Sequence, residues 1–258
     1  MHTHATKTNG LLIALALAAI GLAGCVGDTP DVALDGENAA PEAALTVNRP
    51  SGWSTETFRF DAAGSRDTDG SITEYRFAFG DGTETVVSGD DEPHVTHAYA
   101  HGGEYIVTLT VRDDGGENLG ALTDTALLTV SVNERQALGG QVVDQPANNQ
   151  TSTYTVEFEV FNGADRAQVD LDVASLLPAG SSEIRVRLVD PEGVELDAKT
   201  LNVDAGQTEQ AVLTTVLATE GTHTMEVVAE SGAAAATGEL RVYYDEDLFD
   251  DASEDPAA

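Results

Sequence analysis

The sequence holds one cysteine, Cys25, among 258 residues. No disulfide can close within the chain, so its folded parts must be held by their hydrophobic cores. Basic residues are scarce: 12 lysines and arginines stand against 45 acids, a net charge of −33, and Lys7 and Lys199 are the only lysines. A field this negative argues against nucleic acid as a partner and against electrostatic docking on anionic lipid. It fits a halophile's surface, where strong salt screens repulsion between hydrated carboxylates; the alternative is an acidic protein that attracts cations or basic partners. Catalytic signatures are missing as well. There is no Gly-x-Ser-x-Gly, no His-Glu-x-x-His, no P-loop and no dinucleotide fingerprint. A dispersed Ser-His-Asp or two-carboxylate site leaves no such trace, because its groups meet only in space.

The apolar run at residues 11–23, LLIALALAAIGLA, is too short to span a bilayer comfortably and follows a single lysine, Lys7. It ends in Leu22-Ala23-Gly24-Cys25. This resembles the lipobox of secreted lipoproteins. The resemblance implies a signal peptide over residues 1–24, cleavage before Cys25, a lipid on its thiol and anchorage to the outer face of the cell membrane. An ordinary signal peptide with an incidental cysteine is the alternative. No twin arginine precedes the run, which points to the general export route. The rest of the segment 25–41 is rich in Asp, Gly, Pro and Ala and reads as a flexible tether. Residues 245–258 read as an acidic disordered tail.

Between tether and tail the pattern is that of strands. Leu45 and Val47, Phe58 and Phe60, Tyr75, Phe77 and Phe79, Tyr105 to Val111, and Ala126 to Val132 place apolar residues at spacing two, which puts each set on one strand face. Turn signals such as Asp69-Gly70, Gly80-Asp81-Gly82 and Gly102-Gly103 separate them, and no amphipathic helix intervenes. The expected class is all-β, an antiparallel sandwich. The segments FDAAGSRDTDGSITEYRFAFGDG and HAYAHGGEYIVTLTVRDDGG resemble a PKD domain, an immunoglobulin-like β-sandwich, over residues 42–133. One departure is that Phe77-Ala78 stands where that family usually has Trp-Asp, so a carboxylate is absent at Ala78.

Five features could carry chemistry. Gly80-Asp81-Gly82 lies between strands and opens no helix, so it reads as a turn rather than a phosphate cradle. Asp67-Thr68-Asp69-Gly70 fails the EF-hand pattern, since Ser65 and Arg76 fall at its first and last ligand positions. The PKD resemblance permits calcium on Asp67 and Asp69, with Asp113 or Asp114 beside them; the alternative is Asx capping of a turn. No other cofactor is expected. His94, His97 and His101 lie within eight residues, but His94 and His97 would face opposite sides of a continuous strand, against a zinc site. Trp53, following Ser51-Gly52 in a loop, would stack on a sugar or pack at the sandwich end. Asn149 begins a glycosylation sequon, Asn149-Gln150-Thr151.

Residues 136–244 continue as strands, for example Val156, Phe158 and Val160 alternating with Glu157 and Glu159. Their pattern weakly resembles the jelly-roll modules of the pre-peptidase C-terminal type, which imply a sandwich without catalytic residues. Ala233–Ala236 reads as a loop between the last two strands. The expectation is two tandem β-sandwiches, immunoglobulin-like and then jelly-roll-like, in a lipid-anchored surface protein. Its role would be binding, adhesion or spacing, with an extracellular protein or a glycan as partner and no catalysis. The rival is an accessory or catalytic subunit of an exported hydrolase or transporter system.

The charge makes the first prediction. Raising salt from 0.1 M to 1 M shortens the Debye length from about 10 Å to about 3 Å. The melting temperature should rise steeply over that range, and a flat or falling profile by differential scanning calorimetry would refute adaptation to high salt.

Overall fold

The computed structural model describes residues 38–115, 120–145 and 150–245. The expected signal peptide, Cys25 and most of the tether, Asn149 and the tail beyond Asp245 lie outside the described residues. Sixteen strands follow in chain order: β1 (Thr46–Val47), β2 (Ser51–Trp53), β3 (Thr57–Asp61), β4 (Ile72–Ala78), β5 (Glu84–Ser88), β6 (His94–Ala98), β7 (Gly103–Asp113), β8 (Thr123–Gln145), β9 (Gln150–Thr151), β10 (Thr153–Val160), β11 (Arg166–Ser175), β12 (Ser181–Val189), β13 (Glu195–Asp204), β14 (Thr208–Val216), β15 (Gly221–Ser231) and β16 (Ala233–Tyr243). There is no helix among the described residues.

The first sandwich faces a three-stranded sheet, β1-β3-β6, against the sheet β8-β7-β4-β5. β2 pairs parallel with β8 through Ser51↔Ser131 and Trp53↔Asn133. Phe58, Phe60, Tyr75, Phe77, Val107, Leu109, Val111, Val130 and Val132 are buried between the sheets. These are members of the spacing-two sets read from sequence. Each such side chain contributes about 1.5–3 kcal/mol by leaving water, and with no disulfide that burial must hold the domain.

The second sandwich packs β10-β15-β12-β13 against β14-β11-β16-β8. Successive strands alternate between the two sheets, except that β12 and β13 are neighbours in one sheet, and the first strand, β8, lies beside the last, β16. This is jelly-roll connectivity. Its core includes Phe158, Val169, Leu171, Ile184, Leu188, Leu213, Met225 and Leu240. The outward positions of β12 carry Arg185 and Arg187, which reach Glu195 on β13 and Glu226 on β15.

β8 belongs to both sandwiches. Over Thr123–Val132 it pairs with β7, and over Glu134–Val143 it pairs with β16, as one strand of 23 residues. Val130 and Val132 point into the first core, and Leu138 and Val142, at the same parity, into the second. The expected boundary between residues 133 and 136 therefore falls inside a strand, with no linker there. The spacing-two set read from sequence ends at Val132, and Gly139-Gly140 beyond it offers no side chain to pack, which disfavours strand. The ring of Tyr154 supplies what is missing. It lies over Gly140, where a Cβ would come within 2.3 Å of it, and its hydroxyl accepts the Gly139 N–H at 2.9 Å.

The expected loop at Ala233–Ala236 is corrected by the structure: these residues open β16 and pair with Val143 to Gly140 of β8. Ala233, Ala234 and Ala236 are buried. Alanine has low strand propensity, but small side chains suit a site where the sheets close together. The turn is displaced to Gly232, at φ +82°, and Ser182 fixes the strand start by accepting the Ala233 N–H and donating to its carbonyl.

Polar and aromatic contacts close the seam around β8. Trp53 meets Tyr243 edge-on with centroids 5.6 Å apart, and the Arg135 guanidinium lies 5.7 Å from the Trp53 ring. Buried Asn133 accepts the Tyr244 N–H at 2.6 Å through its side-chain oxygen. Glu134 accepts from the Ser54 hydroxyl and the Gly102 N–H. The Tyr244 hydroxyl accepts the Phe161 N–H at 3.0 Å, and burial pushes its pKa up to about 12.

Because Trp53 is the one tryptophan and sits at this seam, its emission reports the joint. Its unfolding transition should coincide with that of far-UV circular dichroism, as two-state behaviour requires. A Trp53 transition that precedes the loss of strand signal would show that the sandwiches part before they unfold.

Candidate functional site

The Gly80-Asp81-Gly82 turn joins β4 to β5. Gly80 and Gly82 sit at φ +87° and +89°, a region that glycine enters without a Cβ clash. Asp81 accepts the Thr83 N–H and hydroxyl through one oxygen, and its other oxygen lies 2.8 Å from His97 Nε2. His97 stacks on Phe79 at 4.0 Å and meets Tyr99 edge-on at 4.7 Å, while Tyr99 stacks on Tyr105 at 4.1 Å. The aspartate thus pins the turn to an aromatic ladder. Burial alone would raise the Asp81 carboxyl; hydrogen bonds from Thr83 and His97 outweigh it and hold the pKa below the ordinary value. A carboxyl depressed in this way stabilises the fold above its unfolded pKa near 3.9, and that contribution is lost as pH falls through the lower, folded value.

The three histidines do not converge. His94 lies 3.5 Å from Glu92, His97 is held by Asp81, and His101 faces Phe161 of the second sandwich at 6.3 Å. Among the described residues no group of three His, Cys, Asp or Glu is placed to hold a metal ion. Trp53 is half-buried against Tyr243 rather than displayed on a loop.

Asp67 and Asp69 share a turn but diverge. Asp69 accepts the Ala39 N–H at 2.9 Å, fastening the start of the described chain to the sandwich. One Asp67 oxygen accepts weakly from the Asp69 N–H at 3.4 Å; the other is enclosed without a hydrogen-bond partner. Gly70 lies between Asp67 and Asp114, and a Cβ there would fall 2.9 Å and 2.6 Å from their oxygens. Asp113 is committed elsewhere. Buried to 1% exposure, it accepts from Gly115 N–H, Leu122 N–H and Asn38 Nδ2. These bonds tie the β7–β8 connection to the N-terminal segment. Chemically, the enclosed Asp67 oxygen suits a cation, while Asp69 and Asp113 already serve the backbone.

The larger concavity lies elsewhere. A cleft of about 630 Å³ opens where the Gly80–Thr83 turn and the Ala100–Tyr105 turn meet the β10–β11 loop and Glu220 of the second sandwich. Phe161 and Tyr105 line it, with Asp81, Glu104 and Glu220 as its acids, His101 and Asn162 beside them, and no lysine or arginine. Phe161 is 44% exposed. Sequence reasoning missed this site because its walls come from four segments spread between Gly80 and Glu220. Phe161, an aromatic directly after the alternating set of β10, was the one signal present.

The family model for the PKD domain matches residues 38–130. This segment is a PKD domain. Collagenase ColQ1 of Bacillus cereus (strain Q1) is 35% identical over 103 residues, covering 40% of this chain and 10% of that protein. The microbial collagenase of Vibrio alginolyticus is 39% identical over 103 residues, 40% of this chain and 11% of that protein. The chain thus spans about a tenth of the length of these curated relatives. Among solved structures, the PKD1 domain of the Vibrio cholerae metalloprotease PrtV is 31% identical and covers 36% of this chain and 98% of that one, with a TM-score of 0.29. A carbohydrate-binding module of the β-sandwich superfamily covers 79% of this chain and 97% of its own at 16% identity, with a TM-score of 0.34.

Replacing Asp69 with alanine removes one backbone bond and should cost about 0.5–2 kcal/mol, as loss of a capping side chain does. The cost should be equal in calcium and in chelator, with magnesium as the screening control. A calcium site would instead stabilise the wild type by about 2.7 kcal/mol at a hundredfold excess over its dissociation constant; such a gain, abolished in Asp69→Ala, would establish the turn as a calcium site.

Proposed function

We propose that the protein is a non-catalytic surface module, a rigid spacer with a binding role, anchored through a lipid on Cys25 and adapted to strong salt. The observation that carries this reading is β8, one strand that serves two cores. Two domains joined by a flexible linker would move independently; domains that share a strand and a buried seam move as one body. A stiff body on a tether suits displaying a surface away from a membrane. The matched PKD domain favours a supporting role over a catalytic one, and the sequence resemblance around Cys25 supplies the anchor. A second reading makes the protein an accessory to an exported hydrolase, favoured by the relatives of its PKD domain being collagenases.

Anchoring is tested directly. Cys25→Ser should release the protein into the medium or leave it unprocessed, and intact-mass analysis of the wild type should show lipid on Cys25. An unmodified Cys25 at the mature terminus, or cleavage at another bond, would refute the anchor while leaving the spacer intact.

A further inference from the structure

We infer that the cleft between the sandwiches binds a basic side chain, arginine or lysine, presented by an extended segment of a partner protein. This rests on the binding half of the proposed role and not on the anchor.

The cleft is built by both domains. The PKD domain contributes the Gly-Asp-Gly turn, held by Asp81 on His97 and Thr83, and Tyr105, which stacks on Tyr99 and donates its hydroxyl to the His101 carbonyl at 2.9 Å. The jelly roll contributes Phe161, whose N–H is fixed by Tyr244, and Glu220. The walls are therefore placed by bonds in the two folds and do not depend on a ligand to assemble them.

The chemistry of the lining selects the occupant. Phe161 and Tyr105 offer aromatic surface. A cation over such a ring is attracted by its quadrupole, more strongly as water is excluded. Glu104 and Glu220 are exposed carboxylates at the same opening, and both can only accept. An arginine or lysine side chain meets both demands, since its apolar stem lies along the rings while its charged head reaches the carboxylates. The rest of the chain makes the selection sharper. Most surface cations here are already paired across neighbouring positions, as Arg76 is with Glu74 and Glu84 and Arg241 with Glu239 and Asp170. No lysine or arginine lines the cleft, where Asp81 is held by His97. Backbone of an extended partner strand would lie across the mouth, between the Gly102-Gly103 turn and Asn162, where the lining carries little side-chain bulk.

A protein of net charge −33 collects cations everywhere, so the test must separate this site from the general field. The probe is the blocked tripeptide acetyl-Gly-Arg-Gly-amide, titrated into full-length protein at 0.2 M and 2 M salt and followed by amide chemical shifts. Saturable shifts should centre on Gly102, Gly103, Phe161 and Asn162. The citrulline analogue, equal in shape and uncharged, should bind about tenfold or more weakly, as loss of a charge-assisted contact over a ring predicts. Phe161→Ala and Glu220→Gln should each weaken binding several-fold, and Glu209→Gln, on β14, should not. Equal affinity for the citrulline peptide would overturn the inference. So would equal weakening by Glu209→Gln, or saturable shifts at these residues with cellohexaose and none with the arginine peptide. Failure here leaves the Cys25 result untouched.

Discussion

The structure depends on one constraint: a single strand must satisfy two hydrophobic cores. β8 does so because its inward parity is kept through the seam, from Val132 to Leu138. A strand's side chains alternate strictly, so an insertion of one residue in the seam would turn every inward side chain of one half outward. The two domains are thus locked in register with each other. Buried Asn133 marks the crossing, where its side chain holds Tyr244 and its carbonyl accepts the Ser54 N–H. These groups are polar yet enclosed, and they specify the joint more than they strengthen it.

Charge is organised around the same frame. Most buried positions among the described residues are apolar. Arginines on the strands bridge carboxylates of adjacent strands, as Arg187 does with Glu226 and Arg185 with Glu195. Exposed pairs of this kind are worth about 0–1 kcal/mol each. Their greater effect is local neutralisation in a field that otherwise repels itself. Acids in turns do a different task. Asp61, Asp81, Asp113 and Asp190 accept backbone N–H groups two residues on, as Ala63, Thr83, Gly115 and Glu192 donate. In these turns part of the acidity is structural.

That pattern bears on function. The cleft has a negative rim in common with the whole surface, and what sets it apart is aromatic surface held between two domains. Stiffness and cleft go together, because a hinged joint would move Phe161 and Glu220 away from Tyr105 and the Gly-Asp-Gly turn. A spacer that keeps its two halves fixed also keeps this surface formed.

Much of this was legible in the chain. Spacing-two sets such as Phe58/Phe60 and Val156/Phe158/Val160 named the strands and their inward faces, because burial on one sheet face forces that period. The Asp-Gly turns and the PKD resemblance gave the first fold, and alternation in the second half gave the sandwich. The Gly80-Asp81-Gly82 turn was also readable, since an Asx turn reaches only two residues along. Tertiary structure decided the rest. That β8 runs through Gly139-Gly140 depends on the Tyr154 ring from a later strand, and that Ala233–Ala236 is strand depends on its partners in β8. The cleft has no sequence signature beyond the aromatic that follows the β10 set: Tyr105 and Phe161 are 56 positions apart, and Glu220 is further still. The sequence by itself determined which face of each strand is dry; only packing decided which strands share a core, because pairing between distant segments leaves no local period to read.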